Sequence, residues 1–189
     1  MKHNQGVFIF LILIFGFNQN FSQQKNKSKI NDYLKETFSI SSDNFSIKSS
    51  IEENPNYDVY YIQQKLNGID IHNSITTLTV KGEKIKSVKN SFLDSSFGKS
   101  SLKKPLISNY DAIQMALNEL NIDSFKNSAN GHLHSNPYNI EAKLIYVFKE
   151  ENLSLAWNFN VITEDNKNWY DVFVDAESGK IINLENWMI

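Results

Sequence analysis

The sequence predicts an α+β fold: two tandem units, each a helix packed on an antiparallel sheet. Three observations support this. Ile30, Tyr33, Leu34 and Phe38 fall on one helical face, ahead of strand-like segments joined at Gly turns. Ala112, Met115, Ala116 and Leu120 repeat the pattern, with Ile113 and Leu117 beside them, ahead of four short apolar runs. Between the two lies DSSFGKSSLKKPLI, residues 94–107, a linker by its Ser, Gly, Lys and Pro content.

The chain opens on basic Lys2 and His3, followed by the eleven apolar residues Val7–Phe17 and then by NQNFSQQ with its small Ser22. These are the marks of a secretory signal peptide over residues 1–22, cut between Ser22 and Gln24. The apolar run is too short to span a bilayer comfortably. With no Cys in the chain, it is not a lipoprotein signal. An exported protein, extracellular or periplasmic, is expected.

The first unit covers residues 23–93. After the helix, Phe45 and Ile47 alternate and ENPN breaks the run. YDVYYIQQK, residues 57–65, is strand-like, and Asn67-Gly68 is a two-residue hairpin signal. Ile69, Ile71, Ile75 and Leu78 carry the return strand. Lys81-Gly82-Glu83 is the next turn, and Ile85, Val88 and Phe92 continue with a spacing that calls for a bulge. The second unit covers residues 108–189. Ser108 or Asn109 caps its helix, with Asp111 in the first turn. Residues 123–139 read as a polar loop. Strands follow at 142–148, 155–162, 169–175 and 180–184, joined by KEEN, TEDNKN and DAESG.

Composition excludes several functions. All 19 basic residues are Lys; removing the signal leaves 18 against 21 acids, roughly −3. No phosphate-tracking surface results, so nucleic acid is not an expected partner. No second long apolar run predicts a membrane span after signal cleavage. Without Cys there is no disulfide, thiol nucleophile or redox dithiol. His132-x-His134 lacks a third ligand and no HExxH exists, so no metal or other cofactor is expected. No GxSxG elbow appears. Asp171 and Asp175 form a weak carboxylate pair, since DAESG is a turn sequence by itself. No catalytic residue is assigned, and the chain is expected not to be an enzyme.

Tyr61-Ile62-Gln63-Gln64 followed by Asn67-Gly68-Ile69-Asp70-Ile71, with the Gly82 hairpin after it, resembles the fungalysin/thermolysin propeptide domain. Leu144-Ile145-Tyr146, Leu155-Ala156-Trp157, Trp169-Tyr170, Phe173-Val174-Asp175-Ala176 and Ser178-Gly179-Lys180 resemble a PepSY-like domain. Together they resemble the propeptide region of bacterial fungalysin-like, elastinolytic zinc metallopeptidases over most of residues 30–187. The resemblance implies a cystatin-like character for the two units. It also implies a module that helps a zinc metallopeptidase catalytic domain fold and holds it inactive, in cis in the relatives and in trans here. The catalytic HExxH is absent, so peptidase activity does not carry over; the expectation is a fragment or free-standing form of such a propeptide. The alternative is a stand-alone envelope or extracellular PepSY-type binding module with no protease partner.

Partner-interface candidates are Gln63, Gln64, Trp157, Trp169 and Trp187. Consecutive glutamines in a strand face opposite ways, so one is expected outward. Aromatic anchors are typical interface hot spots, and a large ring at Trp187 gains an isolated domain little.

Overall fold

The structure, a computed structural model, describes residues 26–54, 57–94, 104–126 and 139–188. The expected signal peptide, most of the linker and the His132-x-His134 loop lie outside them. The first helix, α1, occupies residues 26–38. After a 3-10 turn at Ser42–Asn44 come β1 (Phe45–Asn54), β2 (Tyr57–Leu66), β3 (Ile69–Lys81) and β4 (Lys84–Asn90). Then follow α2 (Asn109–Glu119), β5 (Phe125–Lys126), β6 (Lys143–Lys149), β7 (Asn152–Thr163), β8 (Trp169–Asp175) and β9 (Ile181–Asn186).

The expected fold class is overturned. Strand pairing joins nine strands into one mixed sheet, in the order β1-β2-β3-β6-β7-β8-β9, with β4 on β3 and β5 on β7. It is not two helix-on-antiparallel-sheet units. The cause lies in β3, which is long enough to pair twice. Thr76–Lys81 pair antiparallel with β4, while Ile71 pairs parallel with Tyr146 of β6. That second pairing is non-local, and nothing in the alternation of either strand announces it. β3 also changes face: Ile71 is buried, then Ser74, Thr76, Leu78 and Val80, and the change of parity falls at Asn73, whose φ is 57°. An extra residue in left-handed geometry has that effect on a strand.

By contacts the described residues divide into two units, 26–63 with 75–94, and 64–74 with 104–188. In the first, Ile30 and Leu34 of α1 pack on Tyr60, Ile62, Leu78 and Val80. Tyr33, Phe38 and Phe92 close the side with edge-on ring contacts of 6.2 and 5.7 Å. Asn26 donates to Asp58 and to the Tyr60 hydroxyl, both at 3.0 Å. Lys29 holds the β3–β4 turn through Glu83 at 2.8 Å and the Gly82 carbonyl at 2.9 Å.

In the second unit Ser108 caps α2 as its sequence predicts. Its Oγ accepts from the Asp111 N–H at 3.1 Å, and the Asp111 carboxylate accepts from the Ser108 N–H at 3.4 Å. That reciprocal arrangement satisfies donors the helix leaves open. Ala112, Ile113, Ala116 and Leu117 are buried against Phe159, Val161, Val172 and Val174. The buried stripe is therefore rotated from the one expected: Met115 is exposed, with its thioether over Gly179. Gly179, at φ 76°, lets the β8–β9 turn close. Asp175 completes that turn by accepting from the N–H groups of Glu177 and Ser178 and from the Ser178 hydroxyl.

Candidate functional site

Side chains alternate along a strand, so antiparallel register decides which residues share a face. On β8 and β9, Val172 lies opposite Leu184 and Val174 opposite Ile181; Val172, Val174 and Ile181 pack in the α2 core, while Leu184 is exposed. The other face carries Asp171 opposite Glu185 and Phe173 opposite Asn183. One step further along, the Trp187 N–H donates to the Trp169 carbonyl at 2.8 Å, which joins the two backbones. This face has a small apolar floor of Ile145, Val147, Ala156 and Phe173, with Ile182 at its edge. The indoles stand beyond that floor, 41 % (Trp169) and 63 % (Trp187) exposed. Trp169 Nε1 donates to Asn160 at 3.2 Å, which fixes its ring along β7.

The polar part of the face is held by three strands and one visitor. Asn158 of β7 donates to Asp171 at 2.5 Å and to the Val172 carbonyl at 3.2 Å. Lys143 of β6 is in register with Asn158. The visitor is His72 of β3. Its ring lies 4.5 Å from Phe173, centroid to centroid, and its Nε2 is 3.8 Å from Glu185. That nitrogen is buried without a hydrogen-bond partner. Burial pushes the Asp171 carboxyl above its ordinary range. The Asn158 hydrogen bond opposes this, the Glu185 charge adds to it, and His72 and Lys143 oppose it. Asp165, in the exposed β7–β8 turn, moves the other way, down to about 2, because the Thr163 hydroxyl and the Lys167 N–H both donate to it.

The structure treats the five candidate interface residues differently. Gln63 and Gln64 are both buried, and Gln64 accepts a hydrogen bond from the Ser74 hydroxyl; neither amide is offered outward. Trp157 is half-buried on the α2 face and ties Ile107 down through Nε1 at 3.0 Å. Trp169 and Trp187 are both exposed, and their backbones meet in one hydrogen bond. Asp175 is a turn former, and the carboxylate actually facing Asp171 is Glu185. Glu185 was not readable from the DAESG turn alone, because the β8–β9 register shifts by one residue between Phe173 and Val174. Neither was His72, because its contact is non-local. Among the described residues no group of three or more His, Asp or Glu side chains is placed to hold a metal. Indole rings flanked by carboxylates and carboxamides suit recognition of another macromolecule.

Comparison with known proteins gives one family match and two similar solved structures. Residues 111–185 match the family described as "Peptidase propeptide and YPEB domain", PepSY. The Bacillus megaterium YpeB C-terminal domain is similar at 14% identity and a TM-score of 0.41, over 86% of this chain and 64% of that one. A candidate lipoprotein from Clostridium difficile 630 is similar at 16% identity and a TM-score of 0.31, over 82% of this chain and 88% of that one. The chain thus spans 64% of the length of the YpeB domain. No curated protein matches significantly. No helix among the described residues is long and apolar enough to cross a membrane. Residues 111–185, which carry most of α2 and the strands β6–β9, thus match the PepSY family model over that segment.

Proposed function

We propose that this protein is an exported propeptide-type module that assists the folding of a zinc metallopeptidase and holds the folded enzyme inactive. It docks through the Trp169–Trp187 end of its PepSY sheet. The observation that carries the reading is the PepSY domain at 111–185. The likeness of residues 60–92 to a fungalysin/thermolysin propeptide supports it, as does the pair of exposed indoles on a sheet face. The physics is sufficient without any chemistry from this chain. A large protease can be trapped before its native topology forms. A module that binds the native-like surface, and not the unfolded chain, favours that surface by mass action. Covering the cleft then inhibits by exclusion.

Refolding tests this. A fungalysin-like catalytic domain is diluted from denaturant with and without the purified chain, and active enzyme is counted after the chain is removed. The reading predicts a severalfold higher yield with the chain present. An unchanged yield, with the chain captured instead on a non-peptidase envelope protein, supports the stand-alone binding module.

A further inference from the structure

We propose that His72, Asp171 and Glu185 form a proton-operated clasp that fastens Ile69–Ser74 of β3 to the face of the β8–β9 hairpin, tight in mild acid and looser toward neutral pH. This inference does not depend on the function proposed above. The geometry sets three costs against one another. With a neutral imidazole, the buried Nε2 of His72 has no hydrogen-bond partner, and an unsatisfied buried polar group is destabilising. Asp171 and Glu185 lie directly opposite each other on neighbouring strands, an unfavourable place for like charges. The Phe173 ring beneath His72 supplies packing whatever the charge. A proton on the imidazole changes the first two together. It turns the 3.8 Å approach of Nε2 to Glu185 into an ion pair and puts a cation beside two facing carboxylates.

The charged groups around His72 come from each element packed near it. β9 brings Glu185 and β8 brings Asp171, while Lys143 of β6 acts on Asp171 from the far side. On its own strand stands Asp70, engaged by Lys65 of β2 at 3.5 Å. Three acids, Glu185, Asp171 and Asp70, thus stand near His72 against two cations, Lys143 and Lys65. The switching group is an imidazole, the side-chain type whose charge state responds between mild acid and neutral pH.

Amide hydrogen exchange on the full chain tests the proposal. Protection of the amides of 69–74, corrected for intrinsic exchange and referenced to the α2 amides, is compared at pH 5.5 and 7.5. The clasp predicts about three- to tenfold greater protection at pH 5.5, as expected for one partly buried charged contact. His72→Phe keeps a ring on Phe173 and removes the pH response. Glu185→Gln, on the exposed strand, reduces that response and decides the matter alone if the His72 variant does not fold. Equal protection at both pH values in the parent chain overturns the clasp. So does a pH response that survives in Glu185→Gln and in any folded His72→Phe.

Discussion

Asp171 shows how one residue reports on the whole face. Its carboxyl is held above the ordinary range chiefly by burial. A carboxylate raised in the folded state binds its proton more tightly there than in the unfolded chain. The folded state is therefore favoured at low pH and loses that advantage as pH rises through the raised value. Asp171→Asn keeps an acceptor for Asn158 and removes the charge facing Glu185. We expect its melting temperature at pH 7.5 to exceed the parent's by about 1–2 °C and the gap to shrink toward pH 4. Asp165 runs the other way. Its carboxyl, lowered to about 2, stabilises the β7–β8 turn above the ordinary carboxylate value, and that support is lost as pH falls through about 2. The tryptophans separate by the same logic. Trp157→Ala should cost about 3 kcal/mol by denaturant titration, since it empties packed volume and orphans the Ile107 carbonyl. Trp187→Ala should change stability by no more than about 0.5 kcal/mol, the ring being largely exposed.

At the scale of elements, α2 and the β8–β9 hairpin depend on local chemistry that can be removed piecemeal. Ser108→Ala removes the hydroxyl that caps α2 and should cost about 1 kcal/mol, read as a lower denaturation midpoint at unchanged slope. Gly179→Ala meets a backbone at φ 76° and the Met115 thioether. The thioether can swing away, so the cost, also about 1 kcal/mol, is mainly conformational. These features were legible because their signals are local. Asn67-Gly68 marks its hairpin, DAESG its turn, and Ser108 to Asp111 its capping box. The buried face of α2 was less so. Met115, Ile113 and Leu117 are all apolar, and only the packing partner decides which of them points inward.

The whole molecule departs furthest from its sequence. Two units, each a helix on an antiparallel sheet, were expected, with their pairing into one longer sheet left open; one nine-stranded mixed sheet is found. The link is β3, whose residues read as an ordinary return strand. The parallel partner of Ile71 is Tyr146, and alternation carries no information about a partner so distant in sequence. The same blindness hid His72, whose neighbours Phe173 and Glu185 arrive from the far end of the chain. It also left one of Gln63 and Gln64 expected outward, when both are buried. At the site Trp169 and Trp187 are both exposed, and a backbone hydrogen bond joins them. Direct inhibition tests the central claim most sharply: the purified chain is titrated into a folded fungalysin-like catalytic domain. A dose-dependent loss of peptidase activity, weakened at least about tenfold by a Trp169→Ala/Trp187→Ala chain that still folds, is the predicted result. Full activity at saturating parent chain, or inhibition untouched by the double substitution, would contradict it.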